Sequence, residues 1–197
     1  MFAALSLPIA YLLGSIPFGF LLVRWKTGTD VRTKGSGNIG ATNVLRTTGK
    51  FLGILTLLLD VLKGASAVAI AQWLGAGDAL WGALAALAVL LGHMFPVWLR
   101  FRGGKAVASM LGAYLVLTPL AMLATILIFA LMLWKTRYVS LSSIVSAAVF
   151  PLGVWLLYHN GLYTLVAAVC AALIIYKHKS NMARLRAGTE NRLGSRA

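Results

Sequence analysis

Negative charge is what this chain has least of. Asp30, Asp60, Asp78 and Glu190 are the only acids among 197 residues. With His93, His159 and His178 they make no cluster at ligand spacing, so no metal site and no metal or organic cofactor is expected. A Ser-His-Asp triad is poorly supported as well. Asp30 is the sole acid of the first polar loop, and Glu190 the sole acid of the tail. Cysteine is reduced to Cys170, inside an apolar segment, which excludes an intrachain disulfide and a Cys-based metal site. Cys170 and His159 read as bystanders. Charge of either sign is scarce, at 11% of residues, where soluble domains carry ~25%.

What fills the chain instead is apolar: 60% of residues are hydrophobic and the mean hydropathy is +0.86. That combination describes an all-α, multi-pass membrane protein forming a single integral membrane domain over residues 1–197. The net charge of +14 would suggest nucleic acid in a soluble protein. Here the charge bias of membrane topology accounts for it, with anionic lipid or anionic substrates as partners and no nucleic acid.

Apolar runs place spans at 2–23, 51–74, 79–98, 139–158 and 162–176. The first basic residue, Arg24, follows the first run, the reverse of a secretory signal, so a retained span is expected. Gly14-Ser15-Ile16-Pro17-Phe18-Gly19 predicts a kink with close helix packing in that span. Asp60 and Lys63 stand three apart in the second span, share a helix face and can pair, as a functional site or as a structural clamp.

The basic residues are unevenly spread. Loop 24–50 has six, loop 99–105 three, loop 135–138 two and the tail 177–197 six, with Lys63 the eighteenth. This puts those four segments in the cytoplasm and the N-terminus outside. Residues 106–134 then begin and end in the cytoplasm. As one helix these 29 residues rise ~44 Å, too long for one span and too short for two full ones. Thr118-Pro119 is the natural break, giving two short helices joined near Pro119 and seven transmembrane helices in all, with the C-terminus cytoplasmic.

The longest polar run before the tail is Lys34-Gly35-Ser36-Gly37-Asn38-Ile39-Gly40-Ala41-Thr42-Asn43, followed by Arg46 and Lys50. Its glycines free the backbone for turns that point several N–H groups into one concavity, a shape suited to phosphate oxygens. Ser36, Asn38, Thr42 and Asn43 add donors. Three spans start at the cytoplasmic face, near 51, 106 and 139, and helix starts attract anions. Each follows a polar basic segment: this loop, Gly103-Gly104-Lys105, and Arg137 through Ser143. Gly103-Gly104-Lys105 is no nucleotide P-loop, since Leu99 and Ala106 stand where its other glycine and hydroxyl belong. Ser140 and Ser143 share a helix face; Ser140 and Ser142 read as helix caps. In the tail, His178, Asn181 and Arg184 fall on one helix face, and Glu190 is expected to pair with Arg. Arg24, Lys26, Arg100 and Lys135 read as topology anchors.

Taken in order, Gly14-Ser15-Ile16-Pro17, Ser36 through Asn43, Asp60-Val61-Leu62-Lys63-Gly64, Gly92-His93 through Lys105, Val139 through Ser143, and Lys177-His178 with Asn181, Arg184 and Glu190 resemble one bacterial family. These are the integral-membrane, acyl-phosphate-dependent glycerol-3-phosphate acyltransferases. The resemblance implies seven spans, a multi-pass place in the bacterial inner membrane and an active site facing the cytoplasm. It implies transfer of a fatty acyl group from acyl phosphate to the 1-hydroxyl of glycerol 3-phosphate, giving lysophosphatidic acid and phosphate, the first step of phospholipid synthesis. A soluble enzyme that makes acyl phosphate is the implied partner. Ser36, Gly37, Asn38, Gly40, Thr42 and Asn43 are expected to cradle the acyl-phosphate group. Arg46, Lys105, Ser143, His178 and Asn181 are expected to hold glycerol 3-phosphate, with Gly103, Gly104, Arg184 and Glu190 completing the substrate contacts. Lys105, Ser143, His178 and Asn181 are the catalytic candidates, and Lys105 the first choice for charge stabilisation.

The His-x-x-x-x-Asp signature of acyl-CoA-dependent acyltransferases is absent, because Trp98, Thr164 and Ala183 stand five residues after the three histidines. The rival readings are a small membrane transporter of an anionic solute, a membrane scaffold, and an acyltransferase using acyl-CoA.

Overall fold

The structure is a computed structural model and describes residues 2–194. Ten α-helices run along them, and no strand occurs among the described residues. In order they are α1 Ser6–Ser15, α2 Phe18–Thr27, α3 Ala41–Thr48, α4 Lys50–Leu74, α5 Ala79–Met94, α6 Val107–Leu117, α7 Pro119–Thr136, α8 Val139–Tyr158, α9 Gly161–Lys177 and α10 Lys179–Arg186.

Five stretches are long and apolar enough to cross a membrane: Ala3–Thr27, Lys50–Leu74, Ala79–Leu99, Pro119–Thr136 and Val139–Tyr158. Helix α9 with α10, bent by 55°, makes a sixth. The chain is a multi-pass membrane protein. Length and composition thus count five or six spans rather than the seven expected. The shortfall lies in α6, whose 11 residues rise ~16 Å against a hydrocarbon core of ~30 Å, and in the bent α9–α10 pair. Trp25, Trp73 and Trp134 sit near helix ends at 81%, 80% and 83% exposure, as an interfacial aromatic girdle requires. Leu120, Leu123, Leu127 and Leu131 form an exposed apolar stripe at helical spacing on α7, suited to lipid.

The chain divides into two compact units, one through Val116 and one from Leu117. In the first, α1 packs on α5 and α4. The crossings are close because glycine stands at them: a Cβ on Gly14 would meet the Val89 carbonyl, and one on Gly92 the Tyr11 carbonyl. Helix α6 approaches α4 in the same way, with Gly64 against Ser109 and Gly112 against Val61.

The first span breaks between α1 and α2, as Ile16-Pro17 predicts, because proline lacks an N–H and disfavours helical geometry in the residue before it. Ile16 is extended, at φ −65° and ψ 112°. Its carbonyl accepts from Lys63 Nζ at 2.8 Å. Lys63 also lies 2.8 Å from Asp60 Oδ1, and both side chains are buried. The pair therefore stitches α4 to the broken backbone of the first span. It is the clamp of the two readings the spacing allowed.

Two other boundaries differ from expectation. Helix α2 runs past Val23 to Thr27 and stops at Gly28, whose φ of 68° closes it. Arg24, Trp25 and Lys26 prolong it because their long stems suit the membrane interface. Loop 24–50 is not wholly loop, since α3 folds inside it. That helix packs on α4. It covers a small buried cluster of Val23, Val31, Ile39, Val44, Leu52 and Leu99.

In the second unit, Thr118 marks the expected break and Pro119 starts α7, where its missing N–H costs nothing. Helices α7, α8 and α9 pack in sequence, and α10 touches α8 and α9.

Candidate active site

The polar loop of the first unit is held by one side chain. Asn43, in the first turn of α3, is 2% exposed. Its Oδ1 accepts from the Ser36 N–H at 2.8 Å. Its Nδ2 donates to the carbonyls of Val31 at 3.2 Å, Lys34 at 3.1 Å and Asn38 at 2.8 Å. Asn43 therefore holds the loop together from within, a structural role the sequence reading did not give it. Asn38 Oδ1 accepts from the Gly40 N–H at 3.0 Å and turns the chain into α3. Gly35 and Gly37 take φ of 58° and 70°, the left-handed conformations such a turn needs. Ser36 and Gly37 are exposed; Asn38, Gly40, Thr42 and Arg46 are half-buried. Ahead of the loop, the Asp30 carboxylate accepts from Arg32 Nε and Nη2, the shortest contact being 2.6 Å. That hydrogen bond holds the Asp30 carboxyl below its ordinary value.

The second loop of this unit turns back on α5. The N–H groups of Gly103 and Gly104 donate to the carbonyls of Met94 at 3.2 Å and His93 at 3.0 Å. A Cβ on Gly104 would strike the His93 ring at Nε2, and one on Gly103 the His93 carbonyl. Lys105 follows, half-buried. Arg100, Phe101 and Ala106 take φ of 53°, 61° and 60°, so the turn is strained at both ends. His93 is itself buried; its Nδ1 lies 3.3 Å from Ser109 Oγ and 3.6 Å from Asp60 Oδ1. Sequence reasoning assigned His93 nothing. Its closeness to the double glycine in the fold was the missing signal.

The second unit gathers its polar residues around Glu190. Oε1 accepts from Ser140 Oγ at 2.8 Å and from Asn181 Nδ2 at 2.7 Å; Oε2 accepts from Arg184 Nε at 2.6 Å. Burial pushes the Glu190 carboxyl up. The bonds from Asn181, Ser140 and Arg184, with the Arg184 charge, outweigh burial and hold it below the ordinary glutamate value. The Arg pairing is as expected. The role of Ser140 is not: α8 has Tyr138 at its N-cap with no side-chain cap bond. Ser142 is likewise no cap, because its Oγ donates back to the Tyr138 carbonyl at 2.9 Å. Ser143, buried one turn beyond Ser140, donates to the Val139 carbonyl at 2.8 Å. His178 sits at the α9–α10 bend, 3% exposed. Its Nδ1 donates to the Ile174 carbonyl at 2.8 Å, which fixes that tautomer and makes Nε2 the acceptor of the neutral ring. Asn181, Arg184 and Glu190 thus meet in one network, while Ser143 and His178 flank it in sequence.

Among the described residues, no group of three or more His, Cys, Asp or Glu side chains could hold a metal ion. What the two units offer is anion chemistry: exposed backbone turns, hydroxyls, amides, arginines and a lysine.

Comparison with known proteins agrees with that chemistry. The sequence profile of the glycerol-3-phosphate acyltransferases matches residues 4–188. The glycerol-3-phosphate acyltransferase of Geotalea daltonii is 51% identical over 182 residues, covering 92% of this chain and 93% of its own. That of Syntrophotalea carbinolica is 50% identical, covering 93% of each. A crystal structure of PlsY, an integral membrane glycerol 3-phosphate acyltransferase in its glycerol 3-phosphate form, matches with a TM-score of 0.93 at 41% identity, over 98% of this chain and 96% of that one. Its lysophosphatidic acid form matches with a TM-score of 0.87 at 40% identity, over 98% and 95%. With the profile spanning nearly the whole chain and half the residues shared with such relatives, this protein belongs to the glycerol-3-phosphate acyltransferase family.

Proposed function

We propose that this protein transfers a fatty acyl group from acyl phosphate to the 1-hydroxyl of glycerol 3-phosphate, giving lysophosphatidic acid and phosphate as the first step of phospholipid synthesis. The observation that carries the acceptor and the product is the 0.93 and 0.87 structural match to proteins described in glycerol 3-phosphate and lysophosphatidic acid forms. For the donor, the support is chemical. An acyl phosphate is already activated, so the enzyme needs to hold two anions close together and offset their repulsion. A glycine-rich turn that exposes Ser36 and Gly37, with Asn38, Thr42 and Arg46 half-buried beside it, suits one phosphate. We assign Ser36, Gly37, Asn38, Gly40 and Thr42 to the acyl phosphate, with Asn43 shaping that turn. In the first unit, Arg46 and Lys105, supported by Gly103 and Gly104, are the candidates for glycerol 3-phosphate; in the second, Ser143, His178 and Asn181, supported by Arg184 and Glu190, are candidates for the same substrate.

In the reaction, the 1-hydroxyl oxygen bonds to the acyl carbon. The bond from that carbon to the phosphate oxygen breaks, and the hydroxyl proton passes to a substrate phosphate oxygen. The Lys105 ammonium offsets charge on the phosphates and on the carbonyl oxygen as it becomes an oxyanion. Seven spans with the N-terminus outside would set these loops at the cytoplasmic face of the bacterial inner membrane. The acyl chain lies in lipid there, and a soluble enzyme supplies acyl phosphate. Transport of an anionic solute is disfavoured because the intramembrane pair Asp60 and Lys63 is buried, mutually bonded and anchored to Ile16.

The test is donor choice. Purified protein is expected to use palmitoyl phosphate and not palmitoyl-CoA, and Lys105→Ala and Arg46→Ala to lower turnover at least about 100-fold. Preference for the CoA ester overturns the donor assignment. Near-normal turnover of both variants overturns the site.

A further inference from the structure

The observations left over by that reading converge on His93. Its ring is fixed on one side by two other helices, with Nδ1 3.3 Å from Ser109 Oγ of α6 and 3.6 Å from Asp60 Oδ1 of α4. Asp60 is in turn held by Lys63, which bonds the broken first span at Ile16. The other edge of the ring faces the backbone of Gly104. The space a Cβ would need there is filled by Nε2, with Cδ2 at 2.9 Å and Cε1 at 3.3 Å. The next residue along the chain is Lys105. The turn carrying it has non-glycine residues at positive φ at positions 100, 101 and 106. Such conformations persist only where the surroundings over-determine them.

We infer that His93 is a positioning residue: its ring, locked by Asp60 and Ser109, is the wall against which the Gly103-Gly104 turn is set, and it thereby fixes where Lys105 meets a substrate phosphate. His93 touches no reacting atom. It acts through the backbone it supports, and so it links the buried Asp60–Lys63 clamp to the site. A shift of the turn by a fraction of an ångström weakens phosphate binding, because the ammonium acts at hydrogen-bond range.

The inference rests on the assignment of Lys105 above, and a double-mutant cycle separates the two. Full-length protein is assayed with palmitoyl phosphate, and KM for glycerol 3-phosphate, kcat and melting temperature are recorded together. Gly104→Ala places a methyl in the ring and is expected to raise KM about tenfold or more. His93→Ala removes the wall and is expected to raise KM by a similar factor, with a smaller change in kcat. In His93→Ala/Gly104→Ala the methyl finds room, so the double variant falls well short of the product of the two single effects in KM, and its melting temperature falls by less than the two single falls together. His93→Gln, which keeps a polar head of similar reach, is expected to recover KM to within about threefold of the parent, and it carries the argument if His93→Ala does not fold.

Additive effects in KM, or a melting-temperature cycle that couples while KM stays at the parent value, overturn the inference and leave the acyltransferase reading intact. An active parent whose Lys105→Ala variant turns over normally overturns the inference and the Lys105 assignment and leaves the acyltransferase reading intact. A folded parent that acylates nothing overturns the inference and the acyltransferase reading together.

Discussion

The two units organise their polar groups around hubs of opposite kinds. In the first, the hub is neutral and its reach is local: Asn43 ties backbone groups between Val31 and Asn38, all within 12 residues of it. In the second, the hub is charged and its reach is long: Glu190 takes Ser140 from 50 residues away, with Asn181 and Arg184. The difference follows from what each must hold. If the first loop binds a phosphate, as proposed, a buried anion at its centre would repel that ligand. An amide supplies both donor and acceptor with no net charge. A basic tail that must be drawn onto a distant helix start gains from a carboxylate, because charge-assisted bonds are the stronger ones. Neutral hubs thus shape a loop, and charged hubs fasten one segment to another.

The comparison breaks most visibly at Asn43. Asn43→Ala removes all the side-chain bonds of a buried group and leaves carbonyls and an N–H without partners, at ~1–3 kcal/mol for each group that water cannot reach. The expected loss of stability is about 3–5 kcal/mol, read from denaturation of detergent-solubilised protein, with no change in its pH dependence. A loss below about 1 kcal/mol would show that the loop holds its shape without the hub.

Glu190→Gln comes next. It keeps one acceptor for Ser140 and Asn181 but turns an amide toward Arg184, so about 1–3 kcal/mol is expected. This effect has a sign in pH. The folded carboxyl lies below its unfolded value, so its contribution is present above the unfolded value and lost as pH falls through the folded one. The variant should show a flatter acid limb than the parent in stability against pH, whereas Asn43→Ala keeps the parent's slope. Parallel acid limbs for Glu190→Gln and the parent would place the hub's contribution in shape alone.

Both hubs were visible in the sequence as residues, though not as hubs. The breaks at Ile16-Pro17 and Thr118-Pro119 and the bounds of α8 were legible because they depend on proline chemistry and apolar length, which are local. Pairing of Glu190 with Arg184 was legible because the acid stands alone among bases. Ser140 looked like a cap, since its partner lies across 50 residues of chain and no pattern marks it. Helix α3 hid inside a run read as polar loop: its apolar face is only Val44 and Leu45, with Val44 fully buried. His93 was hidden for the same reason as Ser140. The glycine it supports is near in space but sits beyond a turn whose course depends on three positive-φ residues.

The turn at Gly103-Gly104 is the third case, held by neither kind of hub but by backbone bonds to Met94 and His93 and by packing on the His93 ring, and it gives the smallest expected effect. Ala106 opens α6 at φ 60° and is 1% exposed. A left-handed conformation costs an L-residue ~1–2 kcal/mol, which Ala106→Gly would relieve. Against this stand the extra backbone entropy of glycine in the unfolded chain, ~0.5–1 kcal/mol, and the loss of a buried methyl, ~0.8 kcal/mol. The terms nearly cancel, so Ala106→Gly should change stability by less than about 1 kcal/mol in either direction, with KM for glycerol 3-phosphate close to the parent's. If the turn is held by packing on His93, removing strain at its far end leaves Lys105 where it was. A stability gain above about 2 kcal/mol, or a KM several-fold higher, would instead mean that strain at Ala106, rather than the wall at Gly104, sets the position of the turn.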